Sequence, residues 1–395
     1  MAEVKPLDGV RVLEFSHMVM GPSCGLILAD LGADVVKVEP LKGDNTRRLG
    51  SSGAGFFPTY NRNKRSFAVD MKSSGGVALV RQLAERADVL LENFRPGALD
   101  KLELDYDSLA ALNPRLIYCS LKGFLKGPYE HRTALDEVVQ MMGGLAYMTG
   151  LPDRPLRVGA SVNDIMGGMF GAIAILAALR EREHSGRGQR VNSALFENCA
   201  FLVGQHMVQY AVTGVAPRPM SIRMPAWGVY DIFETADDRK VFVGVVSDTQ
   251  WKVFCESFQR PDLAADGSLA TNNQRVAVRD TLLPRLQREI FGHWRADALM
   301  ERLEAIGLPF APITSPPELY DDPHLNASHG LVDLHLPDSG ELTRVPALPM
   351  SFDGQRPGLR HDLARVGEHT RELLAELGYD NEKIAALVEQ GSIAL

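Results

Sequence analysis

The chain has 395 residues, of which 45 % are hydrophobic and 23 % charged, the balance of a globular protein with room for two domains. Its net charge of −8 and its lack of lysine or arginine runs argue against nucleic acid as a partner. The four cysteines lack metal-site or redox-pair spacing, and the N-terminus has no apolar signal core. We therefore expect a cytoplasmic protein with reduced thiols and no metal.

Strands and helices alternate in the first third of the sequence. The predicted strands cover 10–15, 34–39, 66–70, 88–92 and 116–121. The predicted helices between them cover 23–31, 75–86 and 99–112. Such alternation is typical of βαβ units, so we predict an α/β fold with a Rossmann-like large domain built on a parallel sheet. The first turn lacks G-x-G-x-x-G, which argues against NAD binding.

A different pattern follows the large domain. After helices predicted over 163–183 and 193–212, the small domain is predicted to contain strands over 228–234 and 241–246 and helices over 250–258 and 275–291, and a final helical pair covers 368–377 and 381–389. The predicted domain organisation is 1–212 for the large domain, 213–225 for a linker or flap, 226–308 for a small α+β domain, 309–325 for a second linker, and 326–395 for a C-terminal segment that returns to the large domain.

A lone carboxylate, Asp164, stands at the start of a long apolar run with no further charge before Arg180. Aspartate near a helix start is most often a cap, but the free N–H groups of that turn also favour an ionised nucleophile, so both interpretations stay open. A membrane helix is a third interpretation, which the run at 165–179 disfavours because a bilayer needs roughly 20 residues. Glycines in the run indicate close packing against another backbone.

Several motifs together resemble the class III CoA-transferases (CaiB/BaiF type). These motifs are LDGVRVLEF at 7–15 followed by Gly21-Pro22, LGADVVKVEP at 31–40, NKRS at 63–66, ENFRPG at 92–97, SGRGQ at 185–189 and GEHT at 367–370. The resemblance implies a Rossmann-like domain, a small domain and a homodimer of interlocked rings. It also implies that Asp164 attacks an acyl-CoA thioester, giving an anhydride and then an aspartyl–CoA thioester. Coenzyme A is then a substrate and not a resident cofactor, and the reaction needs no metal.

The resemblance also assigns binding residues. The CoA-binding residues that it implies are Val69, Met71, Lys72, Asn93, Phe94 and Lys101. Asn93 and Phe94 belong to the adenine end, and the two lysines meet phosphates unless they are solvated surface residues. A dicarboxylate acceptor needs a cation to hold its second carboxylate. Arg47, His131 and Arg132 are the residues predicted to supply this cation, with a solvated loop as the alternative for Arg47. The resemblance adds His17 and Asp136 to the predicted substrate-binding residues.

The segments at 123–132 and 134–144 resemble the branch of the family that acts on C4–C5 dicarboxylates. That branch includes mesaconyl-CoA C1–C4 transferase and succinyl-CoA-dependent enzymes for itaconate, mesaconate or citramalate. Two other functions stay open: an α-methylacyl-CoA racemase or related isomerase, and a CoA-binding protein without activity. Leu135 stands where the racemases carry a histidine, and that histidine belongs to the acid–base pair that moves the α-proton.

Overall fold

The structure, a computed structural model, describes residues 4–222, 225–337 and 339–395. It divides the chain into two units: unit 1 is Met1–Ser221 with Asp322–Leu395, and unit 2 is Ile222–Asp321. These boundaries fall inside the segments predicted as linkers, 213–225 and 309–325, although residues 223 and 224 of the first lie outside the described residues.

Unit 1 is built on a six-stranded sheet. Its strands are β1 (Arg11–Phe15), β2 (Asp34–Glu39), β3 (Lys64–Ala68), β4 (Val89–Glu92), β5 (Ile117–Lys122) and β6 (Arg190–Ala194). All neighbouring strands are parallel, and they lie in the order β3-β2-β1-β4-β5-β6. This is the Rossmann order, in which the chain reverses its direction of travel across the sheet between β1 and β4. The predicted α/β fold with a Rossmann-like parallel sheet is confirmed.

Helices cover both faces of this sheet. They are α1 (Met20–Asp30), α2 (Phe56–Tyr60), α3 (Ser74–Glu85), α4 (Tyr106–Leu112), α5 (Asp136–Met142), α6 (Leu145–Thr149), α7 (Val162–Ser185), α8 (Leu195–Leu202) and α9 (Gly204–Thr213). One apolar core contains side chains of α1, α7 and α8 with Val35, Leu91 and Cys119 of the sheet. The other contains side chains of α3 and α4 with Phe67, Leu90 and Tyr118.

Three predicted helices differ from the structure. The first begins at Met20 and not at residue 23, because Pro22 lies in the first turn, where its missing N–H is no loss. The helix predicted over 99–112 is α-helical only in α4, since Glu103 adopts a positive φ of 54° and Asp105 caps α4. The helix predicted over 193–212 contains the end of β6, then α8 and α9, because residues 190–194 pair with β5.

Unit 2 has a three-stranded antiparallel sheet in the order β7-β8-β9, formed by β7 (Val229–Glu234), β8 (Lys240–Val245) and β9 (Phe310–Pro312). Its helices are α10 (Asp248–Ser257), α11 (Pro261–Ala265), α12 (Asn272–Ala277), α13 (Arg279–Glu289) and α14 (Ala296–Ala305). An apolar core with Trp251, Phe254 and Phe291 holds the sheet to the helices. Strand β9 was not predicted and lies within the segment interpreted as a linker, 309–325. The helix predicted over 275–291 is interrupted at Val278.

The C-terminal residues of unit 1 pack at two places: a hairpin packs with Phe57 of α2, and the last two helices pack on the sheet side that carries α3. They form α15 (Pro323–Ala327), an antiparallel hairpin of β10 (Leu331–His335) and β11 (Leu342–Pro346), α16 (Thr370–Glu376) and α17 (Asn381–Glu389). Leu373, Ile384 and Ile393 enter the same core as α3 and α4. Short 3-10 turns occur at Asn45–Arg48, Ser51–Gly53, Asp100–Leu102, Met220–Ile222, Gly267–Leu269, Phe291–His293 and Pro316–Asp321.

Helix α7 packs closely against α1 near the starts of both helices. A Cβ on Gly168 would lie 2.0 Å from the Ser23 Oγ and 2.7 Å from the Met20 carbonyl oxygen, and one on Gly167 would lie 2.5 Å from the Met20 Cε. Only glycine allows this approach, as the sequence indicated. The first turns of both helices therefore lie side by side at the carboxyl end of the sheet.

Helix α7 also has the length and apolar character of a membrane span, the only helix in the described residues that does. A core helix of a soluble protein satisfies the same criteria. In the structure α7 packs against α1, β5 and β6, and its side chains Ala172, Ile175 and Ala178 are buried in the core between the sheet and these helices.

Candidate active site

The first turn of α7 is capped from another helix. Asp136, the first residue of α5, accepts through its Oδ1 the backbone N–H groups of Asn163 (2.8 Å) and Asp164 (3.1 Å). Ser161, the N-cap residue of α7, makes no side-chain cap. The capping role that the sequence left open for Asp164 is therefore taken by Asp136.

The Asp164 carboxylate itself makes no hydrogen bond and no ion pair with any residue that the structure describes. Burial and, to a smaller extent, the nearby charge of Asp136 raise the pKa of Asp164 to about 7, against the opposing charge of Arg157. The phenol of Tyr60, at the end of α2, lies close enough for the Asp164 charge to raise its pKa in addition to the effect of burial. A poorly solvated carboxylate of raised basicity is the kind of group that serves as a nucleophile.

The loop between β1 and α1 lies at the point where the strand order reverses. The backbone N–H of His17 donates to the Asn93 Oδ1 at 3.1 Å, and the Asn93 Nδ2 donates to the His17 carbonyl at 2.9 Å. The Phe94 ring lies 5.6 Å from the His17 ring. Three residues predicted for the site thus come together at the carboxyl ends of β1 and β4, where ligands of such sheets bind.

A buried ionic network holds this loop from behind. The Lys37 Nζ donates to the Ser16 carbonyl at 2.8 Å and lies 3.2 Å from the Asp44 carboxylate. The Lys64 Nζ lies 2.9 Å from the Glu14 carboxylate. Burial lowers the pKa of Lys64 to about 8, although the Glu14 charge opposes this shift. Because these charges are buried in pairs, removing one partner would leave the other uncompensated.

Comparison with known proteins identifies the family of this chain. The family model described as CoA-transferase family III matches residues 7–370. The chain belongs to CoA-transferase family III. The predicted family and the predicted enzyme class, a CoA-transferase, are confirmed by this match.

Named relatives and a solved structure agree with the assignment. A succinyl-CoA–D-citramalate CoA-transferase of Chloroflexus aurantiacus is 34 % identical over 97 % of both chains. A succinyl-CoA:mesaconate CoA-transferase of Haloarcula hispanica is 35 % identical over 94 % of this chain and 96 % of that one. A crystal structure of a CaiB/BaiF family protein from Brucella suis, 35 % identical, superposes with a TM-score of 0.85 over 95 % of this chain and 100 % of that one.

Two residues predicted to contact ligands in this CoA-transferase are already engaged within the fold. The Arg47 guanidinium donates to Glu39 at 2.8 and 2.6 Å and to the Ala364 carbonyl at 2.9 Å, so its contacts do not support the prediction that it holds a substrate carboxylate. Glu39 is buried and needs this counter-charge. Val69 is fully buried in a bridge to Ile393, which leaves it no surface for a nucleotide.

The other predicted residues lie at the surface or next to it. Met71 is partly buried against the core, whereas Lys72 and Lys101 are exposed. His131 is 84 % exposed, lies 3.3 Å from Glu130 and lines a cavity of about 500 Å³ whose lining does not include Asp164. The Arg132 guanidinium lies 4.9 Å from the centre of the exposed Tyr129 ring.

Three residues around Asp164 were not predicted from the sequence. The Gln140 Nε2 donates to the Asp136 Oδ2 at 2.6 Å, and the Arg157 guanidinium lies 3.4 Å from the same oxygen. Tyr60 is the third residue. The spacing of Asp136 and Gln140, four residues apart on one helix face, was a usable signal, whereas Arg157 lies in a loop that carries none.

Replacing Asp164 by asparagine is expected to stabilise the protein in a pH-dependent way. The folded-state pKa of Asp164 lies above the value of an unfolded aspartate. Ionisation of Asp164 therefore leaves the free energy of unfolding unchanged below about pH 4, lowers it progressively up to pH 7 and lowers it by the full amount above pH 7. We expect the Asp164→Asn variant to gain on the order of 2 to 4 kcal/mol of unfolding free energy at pH 8 and little at pH 4.

Urea unfolding at several pH values measures this gain. The exposed Asp280, in the first turn of α13, supplies the matched control, and Asp280→Asn should show no such pH dependence. An equal effect of Asp164→Asn at pH 4 and pH 8 would contradict a raised pKa at position 164.

Proposed function

We propose that this enzyme transfers CoA between the carboxylates of small C4–C5 dicarboxylic acids, with Asp164 as the nucleophile. The observation that carries the proposal is the Asp164 carboxylate: it is partly buried, free of partners among the described residues, and located at the start of α7. An acid at this position with a pKa near 7 is reactive at neutral pH.

Four anionic exchanges complete the transfer. An Asp164 oxygen attacks the thioester carbonyl carbon, the C–S bond breaks, and CoA leaves as thiolate with the electron pair. The thiolate attacks the aspartyl carbonyl carbon of the anhydride and displaces the donor acid, which leaves an aspartyl–CoA thioester. The acceptor carboxylate displaces the thiolate, and the thiolate then attacks the acceptor acyl carbon and releases Asp164. Every nucleophile and leaving group is an anion, so no net proton moves, and excluding water is the main requirement.

The substrate class rests on the relatives and on the resemblance of two segments. The relatives use succinyl-CoA with D-citramalate or with mesaconate, which are C4 and C5 dicarboxylates. We extend this class to the present enzyme, with succinate, mesaconate, itaconate and citramalate as the acids to test and with intramolecular C1–C4 transfer on mesaconyl-CoA as one form of the reaction.

For CoA we propose the crevice at the carboxyl ends of β1 and β4. Asn93 and Phe94 lie there, at the reversal of strand order that forms such crevices. The exposed ammonium groups of Lys72 and Lys101 are then available for its phosphates.

Replacing Asp164 by alanine is expected to lower the rate of transfer by at least about 10³-fold while acyl-CoA still binds, because only the nucleophile is lost. The assay mixes succinyl-CoA with each dicarboxylic acid and detects the new acyl-CoA by mass spectrometry. Hydroxylamine trapping should mark residue 164 in the parent enzyme only. Asp280→Ala is the control. Full activity of Asp164→Ala would refute the role of Asp164 as the nucleophile. Deuterium uptake at the α-carbon without acyl exchange would indicate a racemase.

Replacing Lys72 or Lys101 by alanine is expected to raise the KM for acyl-CoA by about 3- to 10-fold with little change in kcat, because a lost phosphate contact weakens substrate and transition state equally. The exposed Lys252 of α10 gives the control variant Lys252→Ala. An unchanged KM in both variants would place the phosphates elsewhere.

We propose further that two copies of the chain form the working enzyme. Large apolar side chains are exposed along α7, α8 and α9: Met169, Ile173, Leu176, Phe201, Met207, Val208, Tyr210 and Val212. Helix α9 has no buried residue at all in unit 1 as the structure describes it. An apolar surface of this extent is typical of an obligate interface, and a second copy is the occupant that the family resemblance implies.

Analytical ultracentrifugation is expected to give a dimer, and the double variant Ile173→Glu/Val208→Glu a monomer or an unstable chain, because each glutamate places a charge in the contact. Gln209→Glu, at an exposed polar position of α9, is the matched control. If the rings interlock, two differently tagged populations should exchange subunits only after unfolding. A monomeric parent enzyme would contradict the proposal.

A further inference from the structure

Asp136 lies between the starts of two helices. It is the first residue of α5, and its Oδ1 accepts two of the backbone N–H groups in the first turn of α7, those of Asn163 and Asp164. Its Oδ2 accepts the Gln140 amide and lies 3.4 Å from the Arg157 guanidinium. Every partner of the Asp136 carboxylate is a hydrogen-bond donor, and an ionised carboxylate, which only accepts hydrogen bonds, fits this arrangement.

We propose that Asp136 is a positioning residue for the transfer reaction: by accepting the N–H groups of Asn163 and Asp164, it takes these two donors from the Asp164 carboxylate and places a like charge beside it, and so keeps Asp164 a good nucleophile. The inference rests on the proposed function of Asp164. It replaces the substrate-binding role predicted for Asp136, since both oxygens of this buried carboxylate are already engaged.

Asp136 and Asp164 compete for the N–H groups at the start of α7. A free first turn stabilises a negative charge, and a carboxylate bonded to its N–H groups becomes a weaker base and a weaker nucleophile. Here the stabilisation goes to Asp136. The neighbouring residue Asp164 keeps the cost of burial and gains the repulsion of a fixed negative charge, in accordance with its pKa of about 7.

The groups around Asp164 come from three elements. Asp136 of α5 and Arg157 of the loop before α7 act on Asp164, and the charge of Asp164 in turn raises the pKa of Tyr60 of α2. Asp136 raises the pKa of Asp164, whereas Arg157 lowers it. On its other side Asp136 faces Cys199 of α8, whose pKa it raises in addition to the effect of burial. Because Asp136 and Arg157 shift the pKa of Asp164 in opposite directions, one variant at each position tests the proposal.

Gln140 holds Asp136 and the chain before α7 in place. Gln140 is fully buried; its Oε1 accepts the Val158 N–H at 2.8 Å while its amide donates to Asp136. The chain leading into α7 is therefore tied to α5 by Gln140 and again by Asp136. This double attachment fixes the distance between the two carboxylates, which a flexible loop would otherwise allow to increase.

The experiment follows formation of the residue-164 adduct with hydroxylamine, under single-turnover conditions with succinyl-CoA, as a function of pH. The parent enzyme should show a rising limb with a midpoint near pH 7. Asp136→Asn keeps an acceptor oxygen for α7 but removes the charge, and should move the midpoint down by about one pH unit and lower the plateau rate about 5- to 20-fold. Arg157→Gln leaves the cap intact and should move the midpoint upward.

The outcomes separate this inference from the proposed function. No adduct at residue 164 in the parent enzyme would end the proposed function itself. An adduct in the parent with unchanged midpoints in both Asp136→Asn and Arg157→Gln would overturn only the role of Asp136. A loss of rate in Asp136→Asn without any shift would show a merely structural cap. Should Asp136→Asn fail to fold, Arg157→Gln still decides the matter by the sign of its shift, and Asp280→Asn should leave the profile unchanged.

Discussion

The close contact of α7 with α1 is the constraint on which the site depends. Gly168 lets the two helix backbones approach to a distance that a side chain at this position would prevent. Because the helices run side by side from the same end of the sheet, their first turns lie together where β1 and β4 end. Asp164, in the first turn of α7, therefore lies at the carboxyl end of the sheet.

Charge is used in two opposite ways around this crevice. Lys37, Lys64 and Glu14 are buried but paired, and Lys37 fixes the loop that carries His17 through the Ser16 carbonyl. Asp164 is partly buried and unpaired among the described residues, and burial raises its pKa. The first arrangement gives rigidity, since a paired buried charge cannot move without a large cost. The second arrangement leaves Asp164 without a compensating partner, as the proposed nucleophile requires.

The family assignment and this geometry support each other at different levels. The match over residues 7–370 establishes the class of enzyme, while the arrangement of Asp136, Gln140 and Arg157 bears on how one carboxylate is made reactive. The basic residues predicted from sequence show why substrate contacts are harder to identify. Arg47 forms an ion pair with Glu39, and His131 and Arg132 are exposed on a loop. The contacts within one chain therefore identify none of the three as a substrate-binding residue.

The sequence by itself determined the alternation of strands and helices, the parallel sheet and the glycine contact, because each follows from periodicity or from residue types with few physical uses. It singled out Asp164 as an isolated acid at a helix start, and the family resemblance made that acid the candidate nucleophile. Only the tertiary structure decided which acid caps α7, since the Asp136 carboxylate and the N–H groups of residues 163 and 164 are far apart in the chain and meet through packing. It likewise decided that Arg47 and Val69 serve the fold, and that the segment from 193 to 212 begins as an edge strand. Pairing partners distant in sequence leave no local pattern, and these interactions outweigh propensity wherever a buried charge or an unpaired strand edge has to be satisfied.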